Sequence, residues 1–98
     1  MYLVHARLLP ATPGGPLPPQ TGEWVLAAAA PGERVEHVTC HPDARAGPAL
    51  GVYLLAAGLE QAEAVTAIVC ARTLARRREL ADWSLLSVCA PLIPPVLF

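Results

Sequence analysis

His5 and Arg7 are the first residues of the chain whose side chains could take part in chemistry. An imidazole can accept or donate a proton near neutral pH, and a guanidinium can hold a carboxylate or an enolate. Both residues lie in a segment in which every second position is apolar or aromatic: Tyr2, Val4, Ala6 and Leu8. This alternation predicts a strand that turns its apolar side to the helices and His5 and Arg7 to the uncovered side.

His37 and Tyr53 fall on other predicted strands and could join His5 and Arg7 from there. These four residues are the candidates for a ligand pocket, and the ligand that they suggest is small and apolar or aromatic. The alternative is that this face is solvated and that all four are ordinary surface residues. The sequence assigns no catalytic residue.

A metal site is a second interpretation of the histidines. His37, Cys40 and His41 are followed by Asp43, and on a helix the first three would converge. Pro42 and the alternation of side chains favour a strand instead. On a strand His37 and His41 share a face about 13 Å apart, at roughly 3.3 Å per residue, and Cys40 points the other way. We therefore predict no metal site and no cofactor.

The cysteines are odd in number and widely spaced: Cys40, Cys70 and Cys89. Such thiols in an apolar chain are most simply reduced core residues. A redox or metal protein would instead require at least two of them to approach each other.

Other catalytic and binding motifs are incomplete. The glycines at 14 and 15 lack a following Lys-Ser/Thr pair, so they form no phosphate loop. The serines at 84 and 87 lack a nucleophile elbow. The basic cluster of Arg72 and residues 76–78 is followed at once by acidic residues, which is typical of a solvated helix end.

Six elements are predicted around these residues. Strands are expected at 2–9, 34–41, 49–57 and 83–90, and one long helix at about 59–80. Residues 22–30 form either a short helix, capped by Thr21, or another strand. The connecting segment 10–22 holds five prolines and three glycines, which predicts a loop.

One stripe of the long helix is expected to cover the sheet. Its predicted members are Ala62, Val65, Ile68, Val69 and Leu80, with Thr73 among them. Trp24 and Trp83 are predicted to be anchors in the core or at an interface.

Length and charge limit the class of protein. The 98 residues predict one α+β domain over 1–98, ending in an apolar, proline-rich tail at 91–98. A net charge of −1 favours neither nucleic acid nor an anionic membrane. No uncharged stretch is long enough to span a bilayer, and the N-terminus lacks the features of a signal peptide, so we expect a cytoplasmic protein.

The order βαββαβ, with a short first helix, predicts a ferredoxin-like sandwich with a four-stranded antiparallel sheet. Without the first helix, the fold would be a β-meander with one helix. In both folds one sheet face is uncovered, and two subunits packed through it would resemble a dimeric α/β barrel.

The apolar content of 54% suggests that a second subunit or a partner protein covers this face. The leading hypothesis is therefore an accessory or interaction module. It would form a homodimer or bind a partner protein through the open face and the tail. The alternative is a cofactor-independent small-molecule-binding protein or enzyme of the dimeric α/β-barrel type.

Overall fold

The computed structural model describes residues 1–12, 15–45 and 47–90. The strands are β1 (Tyr2–Pro10), β2 (Val35–His41), β3 (Ala49–Leu54) and β4 (Trp83–Cys89), and the helices are α1 (Thr21–Ala28) and α2 (Leu59–Arg76). Single turns of 3-10 helix lie at Pro31–Glu33 and Arg78–Leu80. The predicted tail at 91–98 lies outside the described residues.

The four strands form one antiparallel sheet in the order β2-β3-β1-β4. Helix α1 packs on β2, and α2 packs on β1 and β4. The protein is thus a small α+β fold with two helices, compatible with a ferredoxin-like arrangement. The alternative in which residues 22–30 form a strand is wrong, because α1 occupies Thr21–Ala28. Thr21 is not its cap, however, since its hydroxyl donates to the Pro18 carbonyl.

Alternation in the two central strands separates the core from the open face. Val4, Ala6 and Leu8 of β1 are buried, and the register pairs Val4 with Val52 and Ala6 with Leu50. Residues that face each other across a ladder share a side of the sheet, so the apolar halves of β1 and β3 pack together beneath the helices. The loop before α1 contributes Leu17, which is also buried.

The stripe predicted for α2 is partly wrong. Ile68 is 54% exposed, whereas Thr66 and Cys70 are buried beside Val69. Successive residues turn by roughly 100°, so the side that centres on Thr66 and Thr73 leaves Ile68 facing outward. Each buried threonine donates its hydroxyl to the carbonyl four residues earlier, which removes the cost of burying it.

Helix α2 ends at Arg76, four residues before the predicted end. Arg77 adopts an extended conformation, and the 3-10 turn that follows carries Leu80 fully into the core. The Arg77 guanidinium lies 4.8 Å from the ring centroid of Trp24, which packs against the core as an anchor of α1.

Arg72 is not part of a solvated helix end. Its two Nη atoms donate to the two carboxylate oxygens of Glu33 at 2.7 and 2.8 Å, and Nη1 also donates to the Ala28 carbonyl at 3.0 Å. This bidentate pair fastens α2 to the connection between α1 and β2. The Arg72 guanidinium and the backbone N–H of Ala30 hold the pKa of the Glu33 carboxyl at about 2, well below its usual range.

The expectation of three core cysteines holds only for Cys70. Burial raises the pKa of that thiol to about 12. Cys40 is half-buried and Cys89 is exposed, and all three are free thiols. Cys89 lies opposite His5 on the uncovered side of the sheet, which is why the core does not enclose it.

Within the described ranges, no helix has both the length and the apolar character needed to cross a membrane.

Candidate functional site

The side chains of the open sheet face form rows across β2, β3 and β1. One row contains His41, Ala49 and Arg7, and the next contains Thr39, Gly51 and His5. The third row contains His37, Tyr53 and Leu3. The sheet thus carries His5, Arg7, His37 and Tyr53 on one face, opposite the helices.

Small residues on the central strand β3 make room between the polar side chains. Ala49 lies between His41 and Arg7, and a cavity of about 420 Å³ opens there. We call it the Arg7 cavity, and its walls are His5, Arg7, His41, Ala44, Arg45 and Ala49. Its volume lies in the range of pockets that hold small molecules.

Arg7 has an unmet hydrogen-bonding requirement. Its Nη1 atom is buried, and no acceptor among the described residues reaches it. The walls of the cavity supply two guanidinium groups and two imidazoles, and none of these described wall residues is acidic. Asp43 is not a wall of this cavity and lies in an adjoining depression around the turn after β2, which shares His41 and Ala44 with it. The cavity therefore presents donors and positive charge and is suited to an anion.

Thr39 fixes the imidazole of His41 at the edge of this cavity. The Thr39 hydroxyl lies 3.0 Å from His41 Nε2 and 3.4 Å from the Gly51 carbonyl. Gly51 is needed for this arrangement, since a methyl group there would lie 2.6 Å from Thr39 Oγ1. The Nδ1 atom of His41 takes no part in this contact with Thr39.

The four candidates from the sequence do not form one pocket. His5 and Arg7 share the Arg7 cavity, but His37 and Tyr53 pair with each other, with ring centroids 5.7 Å apart and planes tilted by 39°. Tyr53 lies four residues along β3 from Ala49, which is about 13 Å of strand.

The sequence analysis did not include His41 or Arg45 among the candidates for the ligand pocket. The alternation in β2 places His41 on the same side as His37, and this signal was available. What was missing was the strand register, which puts His41 beside Ala49 and Arg7. Arg45 lies in the loop after β2 and has no pattern that could have indicated its position.

A larger cavity of about 510 Å³ lies at the other end of the molecule, between the Pro31–Glu33 turn and the start of α2. Two of its three polar side chains already have partners, and the third, Arg34, is exposed. Glu33 binds Arg72, and Gln61 accepts the backbone N–H of Ala57 at 2.7 Å. This cavity therefore offers a ligand less than the Arg7 cavity does.

In the part of the chain that the structure describes, no group of three or more His, Cys, Asp and Glu side chains is placed to hold a metal ion. Cys40 faces Leu50 on the core side, whereas His37 and His41 lie on the open face, so the three cannot share an ion. Comparison with protein-family models, with curated proteins and with solved structures finds no match to this chain.

Proposed function

We propose that the protein is a small interaction module that forms a homodimer through its open sheet face. One observation carries the proposal: Leu9 and Leu86 are 50% and 58% exposed on the uncovered part of β1 and β4. Leu9 is opposite Ser84, and Leu86 is two residues further along β4. The two leucines thus lie close together on adjacent strands and form what we call the apolar patch.

A second copy of the chain is the occupant that fits this patch. In a two-fold dimer the same surface meets itself, so a charge close to the two-fold axis would face its own copy. Strand β4 contains no charged residue, whereas β2, the other edge strand, carries Glu36. The apolar patch can therefore face its own copy without repulsion, with the basic Arg7 cavity to one side.

The size of the face sets the expected strength of the dimer. Strands spaced by about 4.8 Å, with about 3.3 Å per residue, give a face of roughly 400 Å². A standard interface buries about 800 Å² on each partner. We therefore expect a weak dimer that exchanges with monomer at micromolar concentration.

Sedimentation velocity over a range of concentrations tests the proposal. The double substitution Leu9→Ser and Leu86→Ser is expected to give a monomer where the wild type dimerises. Serine is preferable to aspartate, because a new carboxylate would lie close to Arg7. Ile68→Ser is the matched control, since Ile68 is equally exposed but lies on α2, on the other side of the sheet.

A wild-type chain that stays monomeric at high micromolar concentration overturns the proposal. So does a dimer that survives the double substitution but is lost in Ile68→Ser, because that result would assign the contact to α2.

The finer architecture belongs to the same proposal. The order of elements, βαββαβ, supports the ferredoxin-like arrangement. Two such sheets packed through their open faces would make a dimeric α/β barrel. A cytoplasmic location stays a prediction from the sequence.

A further inference from the structure

We infer that the Arg7 cavity is a binding site for a small organic carboxylate. The inference stands apart from the dimer, because it depends on the cavity and not on the apolar patch. Its starting point is the buried Nη1 atom of Arg7, which has no acceptor among the described residues.

A buried donor on a charged group is costly when it has no acceptor, because the group has lost water and gained nothing. Folded proteins therefore seldom leave such an atom unpaired. The cavity beside Arg7 has room for an acceptor of about 420 Å³ or less. A carboxylate that enters the cavity would balance the charge of the Arg7 guanidinium, and the side chain would have to turn Nη1 towards it for that atom to gain an acceptor.

The other walls favour a carboxylate attached to a compact carbon skeleton. Ala44 and Ala49 are small apolar walls, and His5 and His41 are imidazole walls. Arg45 is exposed, so its charge is already hydrated and screened. The partly buried guanidinium of Arg7 matches one negative charge, whereas a phosphate dianion would require a second buried cation.

The two imidazoles have separate places around that carboxylate. His5 is adjacent to Arg7 along the open side of β1, and His41 lies across Ala49 from Arg7. Because Thr39 Oγ1 is 3.0 Å from His41 Nε2, the ring of His41 has a fixed orientation. A ligand above Ala49 would thus lie between Arg7 and His41, with His5 beside Arg7.

Titration followed by ¹H–¹⁵N NMR tests the inference, with benzoate, benzyl alcohol and inorganic phosphate as probes. Benzoate is expected to shift the backbone amides of Ala44 and Ala49 in a saturable way. Benzyl alcohol has nearly the same shape without the charge and is expected to leave them unchanged. Phosphate is expected to bind more weakly than benzoate.

Substitution of arginine supplies the second arm. Arg7→Met keeps the aliphatic stem and is expected to weaken benzoate binding by about tenfold or more, because it removes charge-assisted hydrogen bonds. Arg7→Lys keeps the charge but not the fork of donors and is expected to restore only part of the affinity. Arg76→Met removes an exposed guanidinium from the end of α2 and is expected to change nothing at the cavity.

Three results would overturn the inference. The first is the absence of saturable benzoate shifts at the cavity, and the second is equal binding of benzoate by wild type and Arg7→Met. The third is tighter binding of phosphate than of benzoate, which would assign the site to another class of anion. Benzoate binding by a chain that sediments as a monomer would leave this inference standing while the proposed dimer failed.

Discussion

Replacing Arg7 by methionine is expected to stabilise the ligand-free protein, although it removes the residue on which carboxylate binding depends. Methionine retains an unbranched stem that can follow the path of the arginine side chain over the sheet. It lacks the guanidinium, so the buried Nη1 atom without an acceptor disappears. The substitution therefore separates the stability that the unpaired donor costs the ligand-free protein from the carboxylate binding that Arg7 provides.

The magnitude follows from that single atom. Leaving a buried donor unsatisfied costs about 1–3 kcal/mol, and more when the group is charged. Part of the guanidinium is still hydrated, because Arg7 as a whole is only partly buried, so we take the lower end of the range. A gain of about 1 kcal/mol raises the Tm of a domain of this size by roughly 4–8 °C.

Thermal and urea unfolding of wild type and Arg7→Met, each with and without benzoate, measure the effect. Without ligand the variant is expected to have the higher Tm. With benzoate at about 100 times its Kd, the wild type gains about 2.7 kcal/mol and the order reverses. A variant less stable than wild type by about 1 kcal/mol without ligand would refute the reasoning, because Arg7 would then have a structural partner.

Three further outcomes are expected. Because the pKa of Glu33 is lowered from 4.5 to about 2 in the folded protein, its contribution is complete above pH 4.5 and lost as the pH falls towards 2. Acid titration of the unfolding free energy should show this loss in wild type and not in Glu33→Gln. Gly51→Ala should destabilise the protein by about 1–3 kcal/mol by overpacking against Thr39, and a double-mutant cycle should find a smaller cost in Thr39→Ala. Cys70, with a pKa near 12, should resist iodoacetamide at pH 8 until the chain unfolds, whereas the exposed Cys89 reacts at once, as mass spectrometry can follow. Rapid labelling of Cys70 in the folded state would contradict its burial.

The alternation in β1 was sufficient to predict which side of the sheet each residue occupies. A strand has a period of two, so the burial of Val4 and Ala6 determines that His5 and Arg7 point the other way. In α2 the same kind of reasoning failed. Apolarity alone ranks Ile68 above Thr66, but a threonine that donates to its own helix can be buried at little cost.

The composition of the site could be predicted only in part, because the neighbours of a strand depend on register. The sequence does not state that Ala49 lies between Arg7 and His41, and that placement opens the cavity. His37 and Tyr53 were predicted on the correct side of the sheet. They lie further along the strands, in a different row of the sheet, where they contact each other and not Arg7.

Irregularities in both edge strands account for the remaining residues whose side of the sheet could not be predicted from alternation. Val35 and Val38 of β2 both pack towards the core, although they are three residues apart, and the register shifts between Val35 and His37. A regular strand would place them on opposite faces, so an alternation counted from Val35 gives the wrong side. No glycine or proline within β2 marks the irregularity.

The irregularity in β4 links the two surfaces to which we assign functions. Leu85 and Val88 both pack towards the core, so an extra residue must lie between them, and the register shift opposite Arg7 and Leu8 places it at Leu86. If Leu86 were instead a regular ladder residue, the alternation from Leu85 would turn Val88 to the open face. The bulge therefore buries Val88 and leaves Leu86 exposed beside the ladder position of Arg7. One added residue thus sets the apolar patch next to Arg7, which is why the patch could not be located from apolar periodicity alone.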